Sequence, residues 1–320
     1  MEGVGCKFRA AGAILADGMT RRTFLVAAVS RKPNIVVVDG GRPSLSGVRF
    51  TQSYAADPLP GPAQAGLLTG RYPQRFSETT LAQPLKDAGY VTGHCGDWHL
   101  GSGAKDHPLK RGFKESFGPP VEEAAADFMR RHAKTPFFLY VTGELAAAFN
   151  ENTLVFILGA SATEGTLREN SIRTPIEMRW RGRLPDGLEC RHPVISLDIF
   201  PTAVAAARGR LPVGVDGVNL LEHFPGFREN RTPPHFRLFW RTGGGAQLAM
   251  REDRFKWIRT RKGGVELYDL QADPGERTNL AGQFPAVAER LERICMGWNS
   301  ELNGRTGPTH ARSSAPGPDR

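Results

Sequence analysis

Cysteine is scarce in this sequence, and lysine supplies little of its positive charge. The four cysteines of the 320 residues, Cys6, Cys95, Cys190 and Cys295, include no C-x-x-C pair, which excludes a zinc ribbon, a zinc finger and a thioredoxin-type redox motif. Without the N-terminal residues three remain, so no full disulfide framework is expected. The thiols read as buried small hydrophobes with room for one opportunistic bridge. Of 42 Lys and Arg residues nine are Lys, and the arginines are scattered instead of forming the block that marks a nucleic-acid arm, so no nucleic-acid partner is expected. No stretch approaches the roughly 20 apolar residues of a spanning helix, so no membrane span is expected.

What is present is an ordinary globular composition, 40% hydrophobic and 23% charged, which excludes collagen-like, coiled-coil and fully disordered chains. Gly 37 and Pro 24 make it rich in turns. The net charge of +9 permits an anionic partner. Arginine suits planar recognition of sulfate, phosphate or carboxylate, but the scatter of the arginines favours biased genome composition as their source.

Near the N-terminus, Thr20-Arg21-Arg22-Thr23-Phe24-Leu25 fits the twin-arginine export pattern, with an apolar run to Val29 and a cleavage-like Ala28-Val29-Ser30. A working signal implies a periplasmic or secreted protein. Otherwise residues 1–30 are an N-terminal extension of a cytoplasmic one.

Asn34 to Val38 is a short apolar run ending in Asp39-Gly40-Gly41, as expected of a central parallel strand buried on both faces, and Phe137 to Val141 and Leu154 to Leu158 read alike. Between them Leu81, Leu85 and Ala88 share a helical face that Gly89 ends, with Pro84 tolerated near the first turn. Strands alternating with helices predict an α/β fold, a mostly parallel sheet flanked by helices, over residues 31–235. From Phe236 three short runs and Val265 to Leu270 predict an antiparallel meander. A helix then carries Val287, Leu291, Ile294, Trp298 and Leu302 as one stripe, so 236–303 form a small C-terminal subdomain. Residues 304–320, Gly, Pro, Ser and Arg without periodicity, read as a disordered tail.

Lys32-Pro33-Asn34-Ile35-Val36-Val37-Val38-Asp39, Leu67-Leu68-Thr69-Gly70-Arg71-Tyr72-Pro73, Trp98-His99-Leu100-Gly101 and His107-Pro108 with Arg111-Gly112-Phe113 stand in one order. They are followed by Ile172-Arg173-Thr174-Pro175, Asp198-Ile199-Phe200-Pro201-Thr202, Asp216-Gly217-Val218 and Glu266-Leu267-Tyr268-Asp269-Leu270. Together these motifs resemble the type I, arylsulfatase-like sulfatases of the alkaline-phosphatase superfamily across nearly all of residues 32 to 300. The resemblance implies an alkaline-phosphatase-like fold. It also implies a formylglycine nucleophile made from Cys or Ser in a C-x-P-S-R signature, and a divalent cation, usually Ca²⁺, that polarises the sulfate. Basic and His side chains would bind sulfate and protonate the leaving oxygen.

Against that pattern the signature here is Pro60-Gly61-Pro62-Ala63-Gln64. Pro60 has no heteroatom to oxidise, and Gln64 stands where the family has Arg. Asp39 is followed by Gly40, so at most one of the paired metal-binding aspartates remains. Gly159-Ala160 replace the family's Asp-Asn, while Asp97 and Glu164 replace two sulfate-binding lysines. Stretches between Asp39 and Gly47 and between Val141 and Asn152 are shorter than the family's, and Thr142 to Phe149 resembles the end of a lost helix. Asp39 and His99 are the vestigial site residues, with Pro60 and Gln64 as replaced signature positions.

Each has a plainer reading. Asp39 caps a turn or pairs with a cation, His99 is a packed, hydrogen-bonded histidine, and Arg71 and Arg111 are ion-paired scaffolding. Ser44, Ser46 and Ser53 lack a recognisable base. The expectation is a degenerate sulfatase, sulfuric ester hydrolase by ancestry, with little or no catalysis and no cofactor unless a Ca²⁺ site survives. The alternatives are a binding module for sulfate esters or sulfated glycans, residual metal-dependent hydrolysis, or a decayed chain that does not fold cooperatively. Oligomeric state stays open.

Overall fold

The structure is a computed structural model. It describes residues 32–304 apart from 44–45, 147, 161–164, 225–226 and 228–231. The export-like segment, Cys6, Ser44, Glu164 and residues 305–320 lie outside the described residues.

The large sheet is built from β1 (Asn34–Asp39), β2 (Val48–Tyr54), β3 (Val91–Cys95), β4 (Glu115–Phe117), β5 (Phe137–Thr142), β6 (Thr153–Leu158), β7 (Ile176–Arg179) and β8 (Glu189–Ile195), in the order β4-β3-β5-β1-β6-β7-β2-β8. All neighbours are parallel except at β7, which runs antiparallel to β6 and β2. The apolar runs read as central strands are the centre, with Val37 paired to Tyr140 on one side and Phe156 on the other. Burial on both faces is why these strands are continuously apolar, since successive side chains point to opposite faces.

One face, carrying Ile35, Val37, Phe138 and Phe156, packs against Leu67 and Leu68 of α1 (Pro60–Thr69), Leu85 of α2 (Ala82–Asp87) and Phe200 and Val204 of α5 (Ile199–Ala206). The other, carrying Val36, Val38, Leu139 and Val155, packs against Ala125 and Phe128 of α3 (Val121–Arg131). α1 stops at Gly70, whose φ of 64° is the left-handed cap geometry, and a Cβ there would lie 2.8 Å from the Phe200 ring. The stretch after β5 differs from the expected helix remnant, because residues 144–146 and 148–150 adopt no helix.

A single-turn α4 (Glu169–Ile172) leads into β7, and the second sheet follows. β9 (Arg237–Thr242), β10 (Gln247–Glu252), β11 (Phe255–Arg259) and β12 (Val265–Asp269) form an antiparallel meander covered by α6 (Pro285–Gly304). The helix buries Ala288, Leu291, Cys295, Trp298 and Leu302. Val287 and Ile294 flank that stripe, half-buried against the cluster that Ala288, Leu291 and Cys295 form with Leu248, Met250, Trp257 and Leu267. Cys95, Cys190 and Cys295 are buried free thiols. No described helix is long and apolar enough to cross a membrane.

The two sheets meet over a mixed core of Tyr54, Ile172, Leu197, Trp240, Ala249 and Tyr268, with the Trp240 indole N–H donating to the Ala55 carbonyl at 2.9 Å. Beside it, Lys256 is fully buried between the carboxylates of Glu169 (2.9 Å) and Glu276 (2.8 Å). Tyr54 donates its hydroxyl to the other Glu169 oxygen at 2.9 Å and accepts from Arg251 at 2.6 Å. Fully desolvated charges hold only when partnered, so this cluster ties the meander to α4 and β2.

Candidate functional site

In an open α/β sheet, functional groups gather beyond the carboxyl ends of the parallel strands. Here those ends are Asp39 of β1, Cys95 of β3, Thr142 of β5 and Leu158 of β6, with the N-terminus of α1 facing them. Pro60 occupies the first turn of α1, where a missing N–H costs nothing, and is exposed. A Cβ on Gly61 would lie 3.3 Å from the His99 carbonyl, so the start of α1 rests on the loop that carries His99.

Gln64, 2% exposed, organises the site. Its Oε1 accepts the His99 backbone N–H at 2.7 Å, its Nε2 lies 3.5 Å from the Asp97 carbonyl, and its side chain sits near enough to Tyr140 to lower that hydroxyl's pKa. Tyr140 in turn donates to Asp39 Oδ2 at 2.7 Å. Asp39 and Tyr140 meet because Tyr140 pairs with Val37, which shares its face with Asp39 two residues on. The structure thus brings Asp39, Gln64, His99 and the start of α1 together, with one hydrogen bond joining Gln64 to His99 and another joining Tyr140 to Asp39.

Asp39 is neither a turn cap nor an ion pair, as the sequence suggested. Burial pushes its carboxyl up, against the Tyr140 hydrogen bond and the His99 charge. His99 is also placed differently, since its residue is exposed and the anchor is its backbone N–H. The packed histidine is His94, 2% exposed, hydrogen-bonded to Ser116 (3.0 Å) and ringed by Trp98, Phe113 and Tyr140. Burial lowers its pKa to about 4. Arg71 donates to the Val213 carbonyl at 2.6 Å instead of pairing with a carboxylate, whereas Arg111 pairs with Asp106 at 2.6 Å as expected. Asp97 is exposed, and its carbonyl accepts from Thr142 Oγ1 at 2.8 Å. Ser53 is buried and donates to the Thr174 carbonyl at 2.6 Å, and Ser46 accepts from Arg179.

Sequence reasoning missed Tyr140, His94 and Asp57. Asp57 is 3% exposed and accepts the Leu59 N–H at 2.9 Å, and burial pushes its pKa up to about 7. The Asp57-Pro58-Leu59 string carries the Asx-turn signal that would have found it. Tyr140 becomes legible only once strand register is known.

The family's Ca²⁺ would need about six to eight oxygens. Among the described residues no group of three or more His, Cys, Asp or Glu is placed to hold a metal. The strand ends offer the one carboxylate of Asp39, whose Oδ2 already accepts a Tyr140 proton, and Gly40, Gly159 and Ala160 add no side-chain oxygen. These donors do not fit Ca²⁺. Beside His99 an open cleft of about 470 Å³ is lined by His94, Trp98, Ser102, His107 and Ser116.

The sequence model of the Sulfatase family matches residues 41–162, and that described as N-sulphoglucosamine sulphohydrolase, C-terminal, matches 165–295. Human N-acetylgalactosamine-6-sulfatase is 39% identical over 103 residues, covering 25% of this chain and 20% of that one. Human arylsulfatase G is 42% identical over 90 residues, covering 23% and 17%. The chain therefore matches about a fifth of these relatives' length. Among solved structures, PsFucS1 sulfatase from Pseudoalteromonas sp. superposes with a TM-score of 0.72 at 14% identity over 87% of this chain and 92% of that one. A structure in complex with its substrate D-glucosamine-2-N,6-O-disulfate superposes at 0.70 and 14%, over 86% and 99%. At such identity these likenesses establish the fold. With the two family models lying end to end over the same motifs and that fold beneath them, the chain belongs to the sulfatase family of the alkaline-phosphatase superfamily.

Proposed function

We propose that this sulfatase-family protein does not hydrolyse sulfate esters by the formylglycine route. The observation that carries the reading is the uncharged Gln64 turned onto the His99 N–H and the Tyr140 hydroxyl turned onto Asp39, beside a proline at the nucleophile position. Pro60 supplies no oxygen to attack sulfur. Gln64 is uncharged and has its amide turned into the protein, so it neither steadies a nucleophile nor offsets sulfate charge. Losing a nucleophile alone costs several orders of magnitude in rate, and a missing metal leaves developing charge on sulfate unopposed. The test is release of inorganic sulfate from an aryl sulfate ester with and without Ca²⁺. The expected result is the uncatalysed rate in both, and Ca²⁺-dependent turnover removed by His99→Ala would overturn the reading.

A second reading is favoured by the open cleft beside His99, by the net charge of +9 and by relatives named for sulfated substrates. In it the cleft and the arginine-rich surface retain sulfated glycans without cleaving them. It predicts affinity for a sulfated polysaccharide over its desulfated form that weakens with salt, and equal retention of both would discard it.

A further inference from the structure

Across β4, β3 and β5 the register sets Ser116, His94 and Tyr140 in one row. Paired positions on neighbouring strands share a face of the sheet, so the Ser116 hydroxyl meets the His94 ring. Ser116 Oγ lies 3.0 Å from His94 Nδ1, and His94 Nε2 lies 3.4 Å from the Asp97 carbonyl. A carbonyl only accepts, which places the ring proton on Nε2 and leaves Nδ1 bare. Ser116 therefore donates to Nδ1, as a nucleophile does to the base that activates it.

The ring is held in that geometry. Trp98 and Phe113 meet it edge-on with ring centres 5.2 and 5.8 Å away, and Tyr140 stacks on it at 6.0 Å. Burial holds its pKa down at about 4, so at neutral pH the imidazole is an uncharged acceptor. Ser116 and His94 both line the open cleft beside His99, which brings a ligand there against the hydroxyl. Among the described residues the lining holds no Lys, Arg, Asp or Glu, and Trp98, Pro108 and Phe117 give it apolar walls. An uncharged ester with a small apolar acyl group suits such a lining.

We propose that Ser116 and His94 form a catalytic dyad that cleaves carboxylic esters in this cleft. Ser116 Oγ bonds to the ester carbonyl carbon while its proton passes to His94 Nδ1. His107 lines the same cleft, and its Nδ1 accepts the Leu109 N–H at 3.3 Å, so its proton is on Nε2 as a donor for the oxyanion. The bond from carbon to the alcohol oxygen then breaks, and the alcohol leaves with the proton from His94. Water attacks the acyl-serine and gives a proton to His94. That proton returns to Ser116 Oγ as the carboxylic acid departs. Ester and water are the only reactants.

Phenylmethylsulfonyl fluoride, which traps activated serines, and p-nitrophenyl butyrate test the dyad on the full chain. The expected results are a sulfonyl adduct that peptide mass mapping places on Ser116, and a p-nitrophenolate burst of about one per chain followed by turnover. Ser116→Ala is expected to lose both adduct and burst. His94→Gln, checked for a cooperative thermal transition, is expected to slow both by about a hundredfold or more. A wild-type chain without an adduct on Ser116, or butyrate ester hydrolysis that survives Ser116→Ala, would overturn the proposal. So would an unchanged labelling rate in folded His94→Gln, which would leave Ser116 an ordinary hydroxyl.

Discussion

The carboxyl ends of the large sheet and the junction between the two sheets are both polar and both buried, yet they are built in opposite ways. At the junction, full charges face one another: Lys256 between Glu169 and Glu276, with Arg168 on Glu266 at 2.8 Å toward its exposed side. At the strand ends one carboxylate remains, and neutral groups, Gln64 and Tyr140, close the network around it. The junction is costly to alter piecemeal because removing any one charge strands the others in low dielectric. A site whose charges served a ligand carries no such penalty, so uncharged replacements there leave the fold intact.

The comparison breaks first at Lys256. Lys256→Ala should cost about 3–5 kcal/mol by chemical denaturation, because Glu169 and Glu276 lose their shared cation. Lys256→Met with Glu169→Gln and Glu276→Gln should cost much less. A loss below about 1 kcal/mol for the single change would show that the junction is not held by its charges.

Asp57 comes next, at the edge of the strand-end site. Its folded pKa of about 7 lies above the ordinary aspartate value of 3.8, so the folded state holds the extra proton. Its contribution therefore falls as pH rises from about 4 to 7 and stays lost above that. Asp57→Asn, which keeps the acceptor for the Leu59 N–H, should gain of the order of 2–4 kcal/mol at pH 8 and little at pH 4. His94 titrates in the opposite sense. Its folded pKa of about 4 lies below the ordinary histidine value of 6.5, so stability is full above 6.5 and falls as pH drops toward 4. The two slopes oppose each other over their shared window, so Asp57→Asn should leave stability rising with pH there. His94→Phe should leave it falling, by about 3 kcal/mol across that window. Parallel pH profiles for the two variants would contradict both assignments.

Smallest is Gln64→Ala, which strands the His99 N–H and loosens Tyr140. It should cost about 1–3 kcal/mol in thermal or chemical unfolding and change no sulfate release. A change in sulfate release would mean that Gln64 serves chemistry.

Most of the architecture was legible because the strands of a buried parallel sheet are short apolar runs and the meander alternates with turns. Asn34 to Val38, Phe137 to Val141 and Leu154 to Leu158 lie side by side as expected. The α6 stripe is centred on Ala288 and Cys295 beside Val287 and Ile294, because these small residues are buried while the larger apolar ones stay half-exposed at its edge. Motif order located Asp39, Pro60, Gln64 and His99 as neighbours, but not what they do to one another. That depends on register, which sets Tyr140 between Asp39 and Gln64, and on the loop that exposes His99 while burying His94. Neither is written in spacing along the chain.

Calorimetric titration of the folded chain with Ca²⁺ tests most directly whether the strand ends have kept the scaffold without the chemistry. The account predicts no saturable heat, because Asp39 alone, already accepting the Tyr140 hydrogen bond, does not assemble the about six oxygens Ca²⁺ requires. Saturable binding that Asp39→Asn abolishes would contradict it.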